Sequence, residues 1–249
     1  MMIPFQLDQL KTILCLGAHA DDIEIGCGGT ILELIAARPS IEVHWIVLSG
    51  DSRRTAEVLR SAERFLQKAE RKNIHVEGFR DSFFPYEGKE IKEYFHRLEQ
   101  KVAPDLVFTH RREDMHQDHR LVAELTWNAF RNHLIVEYEI PKYEGDLGTP
   151  NVFAPLSADT CRFKVDAIVD CFQTQHAKPW FSPETLWSLL RLRGLECHSP
   201  SAFAEGLYCR KAILAAVPLG DSGSQGEAVA RDAAAGPSLC HDEASYSAS

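Results

Sequence analysis

The sequence predicts an α/β protein: an open, doubly wound, mainly parallel sheet with helices on both faces. Three observations lead there. Short continuous apolar runs recur along the chain, amphipathic stretches separate them, and polar clusters follow two of the runs directly. Continuous apolar runs suit strands buried on both faces. Their alternation with helical patterns builds βαβ units, hence a Rossmann-like sheet.

The first predicted strand is Thr12 to Ala18 (TILCLGA), and the next are Glu42 to Leu48, Ile74 to Phe79, Asp105 to Thr109 and Leu134 to Ile140. Helical periodicity marks Thr30 to Ala37, Lys89 to Val102 and Leu121 to Asn132. It is clearest in Thr55 to Arg71, with apolar residues at 58, 59, 62, 65, 66 and 69. Beyond Asn151 the alternation weakens. Asp159 to Phe172 and Pro183 to Arg193 read as helices, and Gly194 to Arg210 has no clear period. One domain is expected over 1–216. Residues 217–249, rich in Ala, Gly and Ser, have the composition of a disordered tail.

A formal charge of −9 disfavours nucleic acid and anionic membrane as partners, because both reward clustered Lys and Arg. No apolar run is long enough to span a bilayer, and Met1 to Gln9 lacks the pattern of a signal peptide, so the cytoplasm is expected. The seven cysteines form no CxxC pair and read as reduced thiols. Oligomeric state is open, a homo-oligomer included.

Ligands of open α/β sheets bind beyond the carboxyl ends of the strands, where strand order reverses. Two predicted strands run into polar clusters there: His19-Ala20-Asp21-Asp22, and His110 through His119 (HRREDMHQDH). A catalytic zinc needs three protein ligands and a position for water. His19 and Asp22, three apart, share one side of a turn. His119 or His116 would complete the triad, and the remaining carboxylate could serve as base. A plain helix cap explains Asp21-Asp22 if it stands alone. Gly26-Cys27-Gly28-Gly29 offers a competing reading as a phosphate-cradling turn with Mg²⁺, although it matches neither GxGxxG nor a GK[ST] loop.

His19-Ala20-Asp21-Asp22-Ile23-Glu24 followed by Gly28-Gly29-Thr30 resembles the AHPDDE...GGT signature of the LmbE-like (PIG-L) zinc-dependent N-deacetylases. His116-Gln117-Asp118-His119 resembles their HPDH signature, about ninety residues on. Arg60-Ser61-Ala62-Glu63 is similar to the family's RxxE helix, Lys164 to Gln175 to its KxxA...SQ helix, and Phe203 to Leu207 to its YAEGF element. Ala20 replaces a proline and Phe203 a tyrosine. The resemblance covers roughly residues 11–212 and implies the metal ligands His19, Asp22 and His119, with Asp21 as general base. It further implies that His116 stabilises the tetrahedral intermediate or protonates the amine, that Asp118 orients His116, and that Arg60 lies near the acyl oxygen. Asp114 stands where acidic residues and tyrosine alternate. His110 is a candidate neighbour of the ligands.

The activity so implied is hydrolysis of an N-acetyl or short N-acyl group from an amino-sugar substrate, with Zn²⁺ or Fe²⁺ as cofactor. A non-sugar amide is the alternative. The partner is then an N-acetylated saccharide or glycoconjugate. Trp45, Phe84, Tyr86 and Trp180 are candidate stacking walls for a sugar, and Arg191 and Arg193 candidate anion contacts. Phe79 to Gly88 and Tyr143 to Pro155 are the loops expected to set selectivity.

Overall fold

The structure is a computed structural model that describes residue 7 and residues 10–213. The described residues through Ala212 belong to one compact unit. The boundary expected at 216, the tail at 217–249 and Cys240 lie outside the described residues.

Seven strands form one sheet: β1 (Thr12–Gly17), β2 (Glu42–Val47), β3 (Arg71–Val76), β4 (Leu106–His110), β5 (Leu134–Tyr138), β6 (Val152–Pro155) and β7 (Ala204–Tyr208). Their order is β3-β2-β1-β4-β5-β7-β6. β1 to β5 pair in parallel, whereas β7 runs antiparallel to both β5 and β6. Sequence order reverses between β1 and β4, so the crevice of this sheet opens between those strands. The segment without a clear period in the sequence thus contains β7, a fully buried strand.

Six helices cover the sheet: α1 (Asp22–Ala37), α2 (Ser52–Phe65), α3 (Gly88–Lys101), α4 (Gln117–Ala129), α5 (Ala158–Cys171) and α6 (Pro183–Glu196). β1 shows why they lie on both faces, because its side chains alternate between two cores. Ile13 and Cys15 join the core beneath α1, α2, α5 and α6, with Ile31, Val58, Val165 and Leu186. Leu14 and Leu16 join the core beneath α3 and α4, with Phe95 and Val122. No helix among the described residues is long and apolar enough to cross a membrane.

α1 begins eight residues before the helix expected at Thr30, and its glycines explain both facts. Each glycine weakens a helix by about 1 kcal/mol against alanine, which hides the start from a propensity reading. The packing reverses that penalty. A Cβ at Gly26 would lie 2.1 Å from Tyr138 Cδ2, one at Gly28 2.7 Å from Phe65 Cε1, and one at Gly29 2.4 Å from Leu156 Cδ1. These glycines let α1 approach its neighbours and form no phosphate-cradling turn, so that competing reading of Gly26 to Gly29 loses its basis. Glu205 of β7 accepts from Gly29 N and Thr30 N at 2.7 Å each, and pairs with buried Lys164 of α5 at 2.5 Å. Lys164 and the Phe203-to-Leu207 element therefore secure the helix that carries Asp22.

Candidate metal centre and active site

His19 leaves the carboxyl end of β1 and His116 follows the carboxyl end of β4, so adjacent strands bring the two clusters together. Backbone geometry aims them. Asp21 caps α1 in the left-handed region at φ 88°, an uncommon state for a non-glycine residue, and its side chain makes no cap bond. His116 caps α4, its Nδ1 accepting Asp118 N–H at 3.3 Å.

Three donor groups converge at the centre, the Asp22 carboxylate turning one oxygen to each histidine. His19 Nδ1 lies 3.1 Å from His119 Nε2. Asp22 Oδ2 lies 3.5 Å from the former and Asp22 Oδ1 3.5 Å from the latter. In a tetrahedral site with bonds of about 2.0–2.1 Å, ligand atoms stand about 3.3–3.4 Å apart. The ring protons agree with that spacing. His19 Nε2 faces Asp118 Oδ2 at 3.1 Å and Asp81 Oδ1 at 3.3 Å, so Nε2 carries a proton, and the ring in its neutral form would keep its lone pair on Nδ1. His119 Nδ1 faces Asp114 Oδ2 at 3.0 Å, which leaves the lone pair on Nε2. With both rings neutral, two lone pairs and the Asp22 carboxylate would face one point, an arrangement that a cation relieves; in the metal-free protein a proton on His19 Nδ1 does the same by bridging to His119 Nε2 at 3.1 Å. This donor set suits Zn²⁺ and also Fe²⁺.

The electrostatics carry the same message. Burial opposes charge on His19, yet its hydrogen bonds to Asp118, Asp22 and Asp81 raise its pKa well above the ordinary value. The site therefore favours positive charge where Asp22, Asp81 and Asp118 meet. Burial and the neighbouring His110 push His119 down to about 3, as expected for a ring that serves as a neutral ligand. His110 is fully buried, stacked on His119 with ring centroids 3.9 Å apart, and its Nε2 lies 3.1 Å from Asp22 Oδ2. The sequence-based view of His110 as a neighbour of the ligands thus has a geometric basis.

Asp21 stands beside this centre. Its Oδ2 is buried and has no hydrogen-bond partner, while Oδ1 lies 3.8 Å from Arg54 Nη2. Burial and the Asp22 charge push Asp21 up to about 7. His116, half-buried, packs its ring 4.8 Å from His19 and 4.6 Å from His119. Burial and His19 lower its pKa.

Two expected contacts differ. Asp118 was expected to orient His116, but its carboxylate accepts from Ser82 N at 2.6 Å, Phe84 N at 3.1 Å and His19 Nε2. It therefore orients a ligand candidate. Arg60 does not join the site: it is exposed, and its guanidinium donates to the Asp170 and Cys171 carbonyls at the end of α5. Arg54 reaches the site in its stead, donating to Ala20 O at 2.9 Å and to Asp81 at 3.1 Å. The same R-x-x-E spacing occurs at Arg54 and Glu57, and Glu57 is buried, accepting from Thr174 N at 2.9 Å.

A cavity of about 280 Å³ opens over these residues. Asp81 and Ser82 line it from one expected selectivity loop, Tyr143 and Glu144 from the other. Sequence reasoning missed Arg54, Lys142, Gln175 and Lys178 as lining residues. Gln175 ends the Lys164-to-Gln175 stretch, which was the available signal for it. Of the aromatic candidates, Trp180 faces the cavity, Trp45 and Phe84 are core residues, and Tyr86 is exposed away from the lining. Arg193 is buried in an ion pair with Glu139 at 2.7 Å, and Arg191 donates to Ala202 O. Neither of these arginines lines the cavity.

Comparison with known proteins adds a family-model match and a fold. The PIG-L family model, described as GlcNAc-PI de-N-acetylase, matches residues 14–130, a span that holds both clusters. N,N'-diacetylchitobiose deacetylase from Pyrococcus horikoshii superimposes with a TM-score of 0.61 at 21% identity, covering 81% of this chain and 84% of that one. Teicoplanin deacetylase in a zinc-inhibited form gives 0.62 at 14% identity, over 80% and 97%. A 4-carboxy-2-hydroxymuconate hydratase from Pseudomonas putida KT2440 gives 0.66 at 18% identity, over 84% and 100%. At such identities the likeness is one of fold.

Proposed function

We propose that this chain, whose residues 14–130 match the PIG-L family model, is a metal-dependent hydrolase that removes an N-acetyl or short N-acyl group from an amino-sugar substrate. One observation carries the reading: His19 Nδ1, His119 Nε2 and the Asp22 carboxylate lie 3.1–3.5 Å apart, beside a buried and unpartnered Asp21 oxygen. A divalent ion held there would supply Lewis acidity to the acyl oxygen and acidify a water molecule.

The remaining chemistry falls to side chains. Asp21 Oδ2 accepts the proton of the attacking water, a role suited to a carboxyl raised towards neutrality. Arg54, near Asp21 Oδ1, holds that carboxylate in place. His116 Nδ1 is occupied by Asp118 N–H, so the neutral ring carries its proton on Nε2 and can donate a hydrogen bond to the oxyanion, while the proton that Asp21 took from water passes to the departing amine. Asp118 and Asp114 fix the rings of His19 and His119 through their outer nitrogens. Trp180 and Tyr143 on the cavity wall offer faces to a sugar ring.

The test is acetate release from a panel of N-acetylated sugars, glycoconjugates and non-sugar amides, with Zn²⁺ or Fe²⁺ added. Asp22→Ala should lower metal content, and Asp21→Asn should keep the metal while losing turnover by about a hundredfold or more. Near-normal turnover by Asp21→Asn sinks the base assignment. The muconate hydratase shares the fold, so an enoate hydration assay belongs in the panel. Hydration without acetate release would overturn the amide reading.

A further inference from the structure

We propose that Lys142 is a positioning residue that couples metal binding to the order of the cavity-wall loop at residues 140–147, acting through Asp114 on His119. The inference rests on the reading of His119 as a metal ligand. Lys142 is nearly buried, with 9% of its side chain exposed. Its ammonium has three N–H groups and three acceptors: Asp114 Oδ2 at 2.9 Å, Asp146 Oδ1 at 2.8 Å and Ile140 O at 3.3 Å. Asp114 Oδ2 is also the atom that faces His119 Nδ1 at 3.0 Å. One carboxylate oxygen thus has the ligand's ring on one side and the lysine on the other.

The loop is fastened to the same segment elsewhere. Asp146 Oδ2 accepts Met115 N–H at 2.6 Å, and its carbonyl accepts from Arg111 Nη1 at 2.7 Å. Residues 111–116 lead into α4, which delivers His119, while the loop places Tyr143 and Glu144 on the cavity wall. A cation that fixes the His119 ring fixes Asp114, hence Lys142, hence the loop. Linkage is reciprocal: a substrate that orders Tyr143 and Glu144 tightens the metal by the same factor. A solvent-exposed lysine pair would carry no such coupling.

The experiment combines zinc titration against a chelator with hydrogen exchange of the full chain. In the wild type, zinc should slow exchange across residues 140–147. Lys142→Met keeps the apolar stem and removes the ammonium. It should weaken zinc binding by about 10–100-fold and abolish zinc-linked protection of the loop. Lys142→Arg should restore much of both. Asp146→Asn cuts the link on the loop side, so it should lose the protection with a smaller loss of zinc affinity. Wild-type zinc affinity in Lys142→Met, or zinc-independent exchange of the loop in the wild type, overturns the proposal. If Lys142→Met does not fold, retention of loop protection by Asp146→Asn does so by itself. A wild type that binds no zinc overturns the ligand reading and this one together. Tight binding without coupling overturns this one alone.

Discussion

Replacing Asp118 with asparagine tests the claim that this carboxylate holds His19 in register. Its two oxygens receive three donors: Ser82 N at 2.6 Å, Phe84 N at 3.1 Å and His19 Nε2 at 3.1 Å. Ser82 sits at φ 67°, a left-handed state that costs roughly 1–3 kcal/mol and that the bond to Asp118 helps to maintain. An amide offers one acceptor oxygen and an NH₂ group. In either orientation the NH₂ faces a backbone N–H, so at least one charge-assisted bond worth about 1.5–3 kcal/mol is lost. In a domain of this size 1 kcal/mol moves the midpoint by about 2–4 °C, so the metal-free Asp118→Asn protein should melt about 3–12 °C lower. Loss of the carboxylate that orients His19, the proposed metal ligand, should also weaken zinc by about 10–100-fold. Calorimetry and chelator competition read the two effects separately. A lower Tm with unchanged zinc affinity would show that Asp118 supports the loop and not the ligand. No change in either would refute the geometric argument altogether.

Other expectations follow from single contacts. Arg54→Ala should slow turnover about tenfold or more, equivalent to about 1.4 kcal/mol on the barrier, whereas Arg60→Ala should leave it within about twofold; the reverse order would restore Arg60 to the site. Gly26→Ala should cost about 1–3 kcal/mol or more, because the new Cβ meets a Tyr138 ring whose hydroxyl is tied to Leu16 O at 2.6 Å. A wild-type Tm would mean that α1 can shift. Burial pushes Glu24 up to about 8, so the folded state keeps a proton that the unfolded chain releases near 4.3. Between those values Glu24 binds more proton in the native state than in the unfolded one, so its contribution to metal-free stability falls as pH rises and levels off above 8. Glu24→Gln should flatten that slope in thermal melts from pH 5 to 8; an unchanged slope removes Glu24 as its source.

The edge strand β3 alternates exposed and half-buried residues and begins three residues before the expected Ile74, but β1, β2, β4 and β5 are legible because burial that is largely two-sided writes a continuous apolar run. β6 and β7 are not. β6 is an edge strand of four residues ending in Pro155, and β7 carries Glu205, a charge that becomes intelligible only with Lys164 beside it. The ligand candidates are legible for a topological reason: chemistry-bearing residues directly after the apolar runs must emerge at the switch point. Hydrogen-bond partners are less so, because they arrive from loops distant in sequence. Asp118 meets Ser82 and His19, 36 and 99 positions away, and Lys142 reaches Asp114 across 28.

The arginine shows the limit most sharply. α2 contains the R-x-x-E spacing twice, at Arg54 and at Arg60, and a motif cannot choose between them. Six residues at about 100° each turn the helix by about 240°, so the two arginines point to different sides. The helix settles the choice through its apolar stripe. Val58, Ala62 and Phe65 are buried, which fixes the rotation of α2 against the sheet. That rotation leaves Arg60 on the α5 carbonyls and carries Arg54 to Ala20 and Asp21. A pattern of residue types therefore fixes which chemistry is present, while the phase of a buried stripe fixes which copy of the pattern performs it. The muconate hydratase has the same fold at a TM-score of 0.66, so the fold alone leaves the reaction open. The amide reading of this chain therefore comes from the placement of individual atoms, chiefly the unpartnered Asp21 oxygen beside the His19, His119 and Asp22 donors.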